Sequence, residues 1–184
     1  MRLAPTRTSL YFDLMTIRKL SKNDANVFRA MRVEMCERHP EAFGQTPEEV
    51  LKMSDEKFLD WFAPSDTFPE KFVAGMFDGS TLIGTAGFRR EESIKERHFG
   101  FIWTVYLRSE YRGKGLSKQI MQWVIDRCRE MDGLEMVVLT VAATQVNARA
   151  LYRRLGFVQV GKIPQGYHLP DGRYIDNEEM MLQL

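Results

Sequence analysis

Arg112, Gly113, Lys114 and Gly115 stand between an apolar run that ends at Leu107 and a helical pattern that starts at Leu116. Two glycines let successive backbone N–H groups turn toward one point, and the two cations add charge. The helix that follows brings unsatisfied N-terminal N–H groups and the positive end of its dipole to the same place. Such a junction suits an anion with several phosphate oxygens; a glycine turn with solvated cations is the other reading of the segment alone. Two common nucleotide motifs are excluded, because the glycines lack the GxGxxG spacing and Lys114 lies between them rather than in the Gly-Lys-Ser/Thr of a Walker loop.

The elements around this turn follow from periodicity. Phe101–Leu107 is rich in aromatic and branched residues and reads as a strand. Leu116, Ile120, Val124, Cys128 and Met131 advance close to the 3.6 period, so a helix runs to about Glu130, Cys128 is a core thiol, and Asp132-Gly133 ends the helix. Met136–Val141 is a continuous apolar strand, Asn147–Leu155 a helix with Gly156 just past its end, and 157–163 and 179–183 are two last strands joined by a long loop. Upstream, Phe28, Met31 and Met35 give 22–38 an amphipathic helix with a weak Ser21/Asp24 cap, which Pro40 ends. Thr46-Pro47-Glu48-Glu49 opens a short helix and Ser54 a third, with Phe58, Trp61 and Phe62 inside it. The stretches 71–77 and 82–89 flank Asp78-Gly-Ser-Thr81 as a hairpin, and 91–97 is a charged loop.

With 184 residues and 44% hydrophobic content the chain reads as one domain with a sizeable core. A net charge of +1 argues against bulk attraction to nucleic acid or to a membrane, while Arg112/Lys114 and Arg149/Arg153/Arg154 leave local clusters for a phosphorylated ligand. Cys36 and Cys128 form no disulfide framework and no zinc motif, so no metal is expected. No segment has the apolar length of a secretion signal or a membrane span, and the expected location is cytoplasmic.

The run Arg112-Gly-Lys-Gly115-Leu-Ser117 resembles the acetyl-CoA-binding motif Gln/Arg-x-x-Gly-x-Gly/Ala of the Gcn5-related N-acetyltransferase (GNAT) superfamily, with Ser117 as the departure at the final position. Asn147, Ala150, Tyr152, Gly156 and Phe157 resemble the family's second signature, in the right order along the chain. The resemblance covers roughly residues 15–184 and is strongest from Phe101 to Gly161. It implies a single domain over 15–184 behind an N-terminal extension, 1–14, of loosely packed character. It also implies an α/β fold: a mixed, mostly antiparallel sheet with helices on both faces, ordered β-α-α-β-β-β-α-β-α-β-β. The strands at 103–107 and 136–141 would run parallel and splay apart.

The same resemblance implies acetyl-CoA as cofactor and amine acetylation as the activity, by direct attack in a ternary complex. The pantetheine arm would pair with the backbone of Val105, Tyr106 and Leu107, the phosphates would lie on Arg112, Gly113, Lys114, Gly115, Leu116 and Ser117, and Asn147 would touch the cofactor. Asn147 also reads as a plain helix N-cap. Ala148, Leu151 and Leu155 make a stripe that leaves Tyr152 at its edge, where a phenol could donate to the departing sulfur; a packing tyrosine is the other reading. Arg153 and Arg154 read as solvated or as partners of the nucleotide phosphate. Phe99–Leu107 carries no carboxylate to act as base; Glu34, Glu37, Glu96 and His98 are the nearest titratable groups, each with a surface reading, and a water chain could serve instead. The acceptor would lie between the N-terminal helices and the 162–173 loop, with Tyr167, His168 and Tyr174 as walls. Amino acids, polyamines, aminoglycosides and peptide N-termini fit as small-molecule or peptide amines. A binder of acyl-CoA without turnover is the alternative function, and an edge strand or the C-terminal hairpin offers a homodimer contact.

Overall fold

Among the described residues seven strands form where branched and aromatic residues cluster: β1 (Met15–Lys19), β2 (Lys71–Asp78), β3 (Thr81–Arg90), β4 (Phe99–Leu107), β5 (Met136–Ala142), β6 (Val158–His168) and β7 (Tyr174–Gln183). The helices are α1 (Ala25–Arg38), α2 (Pro47–Lys52), α3 (Asp55–Phe62), α4 (Leu116–Arg129) and α5 (Val146–Arg154). This computed structural model describes residues 15–62 and 70–184; the expected extension, 1–14, lies outside the described residues.

The strands join one sheet in the order β1-β2-β3-β4-β5-β7-β6, antiparallel throughout except for the β4–β5 pair. Alternation along β2 sends Phe72, Ala74 and Met76 to one face and Val73 and Phe77 to the other, across a register shift at Met76/Phe77. On the first face α4 buries Leu116, Ile120, Val124 and Cys128 on the expected stripe, with Met121 and Ile125 beside them and Met131 partly covered. Burial pushes the Cys128 thiol up to about 12, in keeping with a core thiol. On the second face α1 and α3 enclose Phe28, Met31, Met35, Phe58 and Phe62, whose rings meet at 5.0–5.6 Å.

Local signals set the helix starts. Thr46 accepts from the Glu49 N–H while Glu49 returns to the Thr46 N–H, with Pro47 at the first helical position of α2. Ser21 and Asp24 make a capping box, here around a single 3-10 turn (Lys22–Asp24) that leads into α1, and Arg18 grips Asp24 at 2.7 Å. The charged 91–97 stretch lies outside helices and strands.

Four expectations are corrected. Three helices of the described residues separate β1 from β2, as the residue pattern reads, against two in the implied order. The 162–173 loop is largely strand: β6 continues to His168 and β7 starts at Tyr174, leaving a short turn at 169–173. Pro164 does not end β6 because β6 is the edge strand, where a missing N–H costs no ladder bond, and the register shifts between Ile163 and Tyr167 absorb it. Asn147 is not an N-cap: Val146 already begins α5, the Arg149 N–H bonds Gln145 O, and Asn147 is the exposed second residue. Finally, Tyr152 is the buried residue of α5, while Ala148 and Leu151, which line an opening in the sheet rather than packed core, and Leu155 just past the helix end are only partly buried.

Candidate active site

The opening begins where β4 and β5 part. They pair only from Phe99↔Met136 to Phe101↔Val138. Farther along, β3 residues Thr85 and Gly87 face Tyr106 and Trp103, so β4 holds one extra residue there. Thr104 takes up the bulge in a left-handed backbone conformation (φ 51°), a region that a β-branched residue adopts only under strain. The Thr85 hydroxyl donates to Thr104 O at 2.9 Å and helps hold the distortion. The result is a cleft of about 920 Å³ with Val105, Tyr106 and Leu107 on one wall, Leu139 and Val141 on the other, and Ala148, Leu151 and Tyr152 from α5 across it.

At one end of the cleft lies the glycine turn. Gly113 (φ 77°) and Gly115 (φ 78°) are both left-handed, and Gly115 directly precedes α4. A Cβ on either would meet no atom within 4 Å, so these glycines are required by conformation, and the space in front of them is open. The N–H groups of Gly113, Gly115, Leu116 and Ser117 have no backbone acceptor among the described residues. Those N–H groups and the α4 dipole fit an anion. Leu116 contributes backbone alone, since its side chain is in the core. Arg112 turns inward: its Nε donates to Leu107 O at 2.8 Å and a terminal nitrogen lies 3.0 Å from His39 Nε2. Lys114 lies 5.5 Å from the Tyr111 ring, whose hydroxyl donates to Asp78.

Tyr152 lines the cleft, touches Phe157 (centroids 5.9 Å apart), and has its phenol pushed well above its ordinary value by burial. It is therefore a group that holds its proton through the whole neutral range. Asn147 and Arg154 also line the cleft. Arg149 does not belong to a free basic cluster, since it pairs with Glu178 at 2.6 Å and donates to Ala143 O.

None of the four titratable groups singled out as bases lines the cleft. Glu34 accepts from Arg108 (2.8 and 3.0 Å) and from the Tyr106 hydroxyl (3.0 Å), which makes it a strut between α1 and β4. Burial, with the bond to Glu34, pushes the Tyr106 phenol up to about 12. Glu37 and Glu96 are exposed, and His98 sits before β4 at the end where the strands still pair. Of the expected acceptor walls only Tyr167 reaches the cleft; His168 and Tyr174 stack on each other at 4.3 Å outside it.

Among the cleft residues that were not singled out from the sequence are His39 and Arg32. His39, at the end of α1, meets the Tyr106 ring edge-on (centroids 6.1 Å apart) and lies 3.5 Å from Glu41, which also accepts from Gln145. Arg32 is buried on α1 at the cleft wall. The signal for Arg32 was its register: it falls four residues after Phe28 and three before Met35, inside the apolar stripe rather than opposite it. Among the described residues no group of three or more metal-binding side chains occurs, and no helix is long and apolar enough to cross a membrane.

Comparison with known proteins agrees with the fold. The model of the acetyltransferase (GNAT) family matches residues 29–157. An L-methionine sulfoximine/L-methionine sulfone acetyltransferase of Pseudomonas paraeruginosa is 39% identical over 82 residues, 44% of this chain and 46% of that protein. The L-amino acid N-acyltransferase MnaT of Escherichia coli is 31% identical over 81 residues, with the same two coverages. The chain thus matches about half the length of these curated relatives. Among solved structures, a GNAT-family acetyltransferase from Streptococcus pneumoniae superposes with a TM-score of 0.80 at 20% identity, covering 92% of this chain and 99% of that one.

Proposed function

The chain belongs to the acetyltransferase (GNAT) family, and from that premise we propose that it transfers an acetyl group from acetyl-CoA to the primary amine of a small molecule or peptide. The observation that carries the reading is the junction of an open, glycine-built anion cradle with a cleft between two diverging parallel strands. Named neighbours point the same way: a phosphinothricin acetyltransferase of Sinorhizobium meliloti with a TM-score of 0.77 was solved with acetyl-CoA.

Bound acetyl-CoA supplies an acetyl thioester, whose C–S bond breaks as an N–C bond to the amine forms, the amine proton ending on the released thiol. The chain's residues do the rest. The N–H groups of Gly113, Gly115, Leu116 and Ser117 hold phosphate oxygens, with Arg112 and Lys114 adding charge. Beyond the Thr104 bulge the backbone of Val105, Tyr106 and Leu107 receives an extended amide-bearing arm as an added strand, and Arg112 gives up Leu107 O to it. Asn147 contributes a polar contact from the opposite wall. The Tyr152 phenol, kept protonated by burial, donates a hydrogen bond to the departing sulfur; being a weaker acid than a free thiol, it stabilises the sulfur by that bond more than by full proton transfer. With no carboxylate of β4 at hand, the attacking amine loses its proton to water in the cleft, and orientation supplies much of the acceleration.

Both described thiols are buried and unpaired, which supports a reducing, cytoplasmic setting. Exposed Val158, Val160 and Ile163 on edge strand β6 support a homodimer contact. The test of the activity is a thiol-release assay with acetyl-CoA against a panel of amines. Release dependent on an amine is expected; tight acetyl-CoA binding with no release for any amine would favour the non-catalytic acyl-CoA binder.

A further inference from the structure

Arg32 is 4% exposed, and its surroundings differ from those of the other arginines drawn into the fold. Arg90 pairs with Glu70, Arg108 with Glu34 and Arg149 with Glu178, all at 2.6–2.8 Å. No carboxylate of the described residues lies within ion-pair reach of Arg32. Its guanidinium bonds neutral groups instead: Gln45 Oε1 at 2.8 Å, Thr104 Oγ1 at 3.2 Å and Met35 Sδ at 3.3 Å. It also lies over the rings of Phe43 (5.2 Å) and Trp61 (5.0 Å).

These contacts leave the charge incompletely compensated. Three buried side-chain polar atoms lack a partner among the described residues: Arg32 Nε, Trp103 Nε1 and Asn177 Oδ1. The first two are donors, and both residues line the cleft, whereas Asn177 does not. They are also neighbours, since the Trp61 ring under Arg32 lies 4.4 Å from the Trp103 ring. A buried cation without a counter-ion is costly, and buried charges are ordinarily paired. An unmatched cation and a second orphaned donor at the wall of an open cleft call for an anionic ligand that accepts hydrogen bonds, and a carboxylate matches the planar guanidinium fork.

Position selects which carboxylate. Thr104, which holds one Arg32 nitrogen, is the bulged residue of β4, at the point where the cleft opens. In an α-amino acid the amine and the carboxylate share one carbon, so a carboxylate on Arg32 holds the amine beside the bulge, where acyl transfer has to occur. We propose that Arg32, with Trp103 beside it, receives the free α-carboxylate of the acceptor, so that the substrate class is an amino acid and not a polyamine, an aminoglycoside or the N-terminus of a long peptide. This rests on the acyl-transfer reading above.

The test is a kinetic comparison of L-amino acids, each against its own α-carboxamide, by thiol release with acetyl-CoA. The pair differs only in the carboxylate, and the carboxamide's less basic amine works against the expected preference. Wild-type protein should favour the acid over the amide by about 50-fold or more in kcat/KM. Arg32→Gln should lower kcat/KM for the acid about 100-fold and change that for the amide less than about threefold, with acetyl-CoA affinity by calorimetry within about twofold. Gln45→Ala, which loosens Arg32 without removing it, should cut the acid preference about fivefold and serves if Arg32→Gln fails to fold. Amides acetylated as well as acids would overturn the subsite and leave the transferase intact. Equal losses on acid and amide in Arg32→Gln would assign Arg32 to the reacting centre and overturn it too, as would acetyl-CoA binding with no amino acid acetylated. Failure to bind acetyl-CoA would instead overturn the underlying reading.

Discussion

Along the β4 wall and the turn that follows it, the groups offered to a ligand are chiefly backbone: the N–H groups of Gly113, Gly115, Leu116 and Ser117, and the strand edge from Val105 to Leu107 freed by the β4–β5 splay. Along the α1 side they are side chains, Arg32, His39, Phe43 and Tyr167. A backbone site depends on conformation and tolerates changes of side chain that keep φ and ψ, which is how Ser117 can replace a smaller residue. A side-chain site depends on identity, so one substitution can redirect what it accepts without touching the cofactor half.

The contrast is broken most severely by Gly115→Glu. A residue with a Cβ is strained at φ 78°, and the carboxylate would enter the anion cradle, so acetyl-CoA affinity should fall more than about 100-fold while circular dichroism stays unchanged. Next in size is Arg32→Gln, whose loss of about 100-fold should appear on the acid acceptor alone, leaving cofactor affinity where it was. Tyr152→Phe stands at the junction of the walls; kcat should fall about tenfold for every acceptor, with acetyl-CoA affinity nearly constant in calorimetry. Because burial raises the Tyr152 phenol, it stays protonated past its ordinary value of 10.0, so variant and wild type should share the same alkaline limb of the kcat profile up to there.

Glu34→Gln sharpens the division between site and support on α1 itself. It should cost about 2 kcal/mol in denaturant unfolding, by loosening Arg108 and Tyr106, and leave the pH dependence of kcat unmoved. A lost acidic limb would reinstate Glu34 as the base. The smallest effect belongs to Asp24→Asn, far from both walls. The Asp24 carboxyl is held well below the usual carboxylate range, first by its bond from Arg18, so its stabilisation is present above the unfolded value near 4 and disappears as pH falls toward the folded one. Wild type should exceed the variant by about 1 kcal/mol at pH 7, the half-exposed Arg18 being screened, and the difference should shrink steadily as pH falls below about 4.

What could be read from the sequence follows the same division. The cradle was legible because glycines at fixed spacing before a helix have few other uses, and α4 because Leu116, Ile120, Val124 and Cys128 keep one period against a packed face. Tyr152 was singled out and does line the cleft, but it was placed wrongly on its helix: α5 covers a gap, and a stripe facing a gap is only partly buried. The β6 extension was hidden by Pro164 and Gly166, which signal a loop unless the strand is known to be an edge. Arg32 was hidden for a related reason. A charged residue within a helical stripe reads as solvated until the rings of Phe43 and Trp61, distant in sequence, are folded over it.

The account's central claim, that an acyl-CoA lies between the splayed strands with its phosphates on the glycine turn, is tested most directly by calorimetric titration of acetyl-CoA into wild type and Gly115→Glu. The claim predicts saturable, one-to-one binding to wild type and none to the folded variant. Equal binding to both, or to neither, would contradict it.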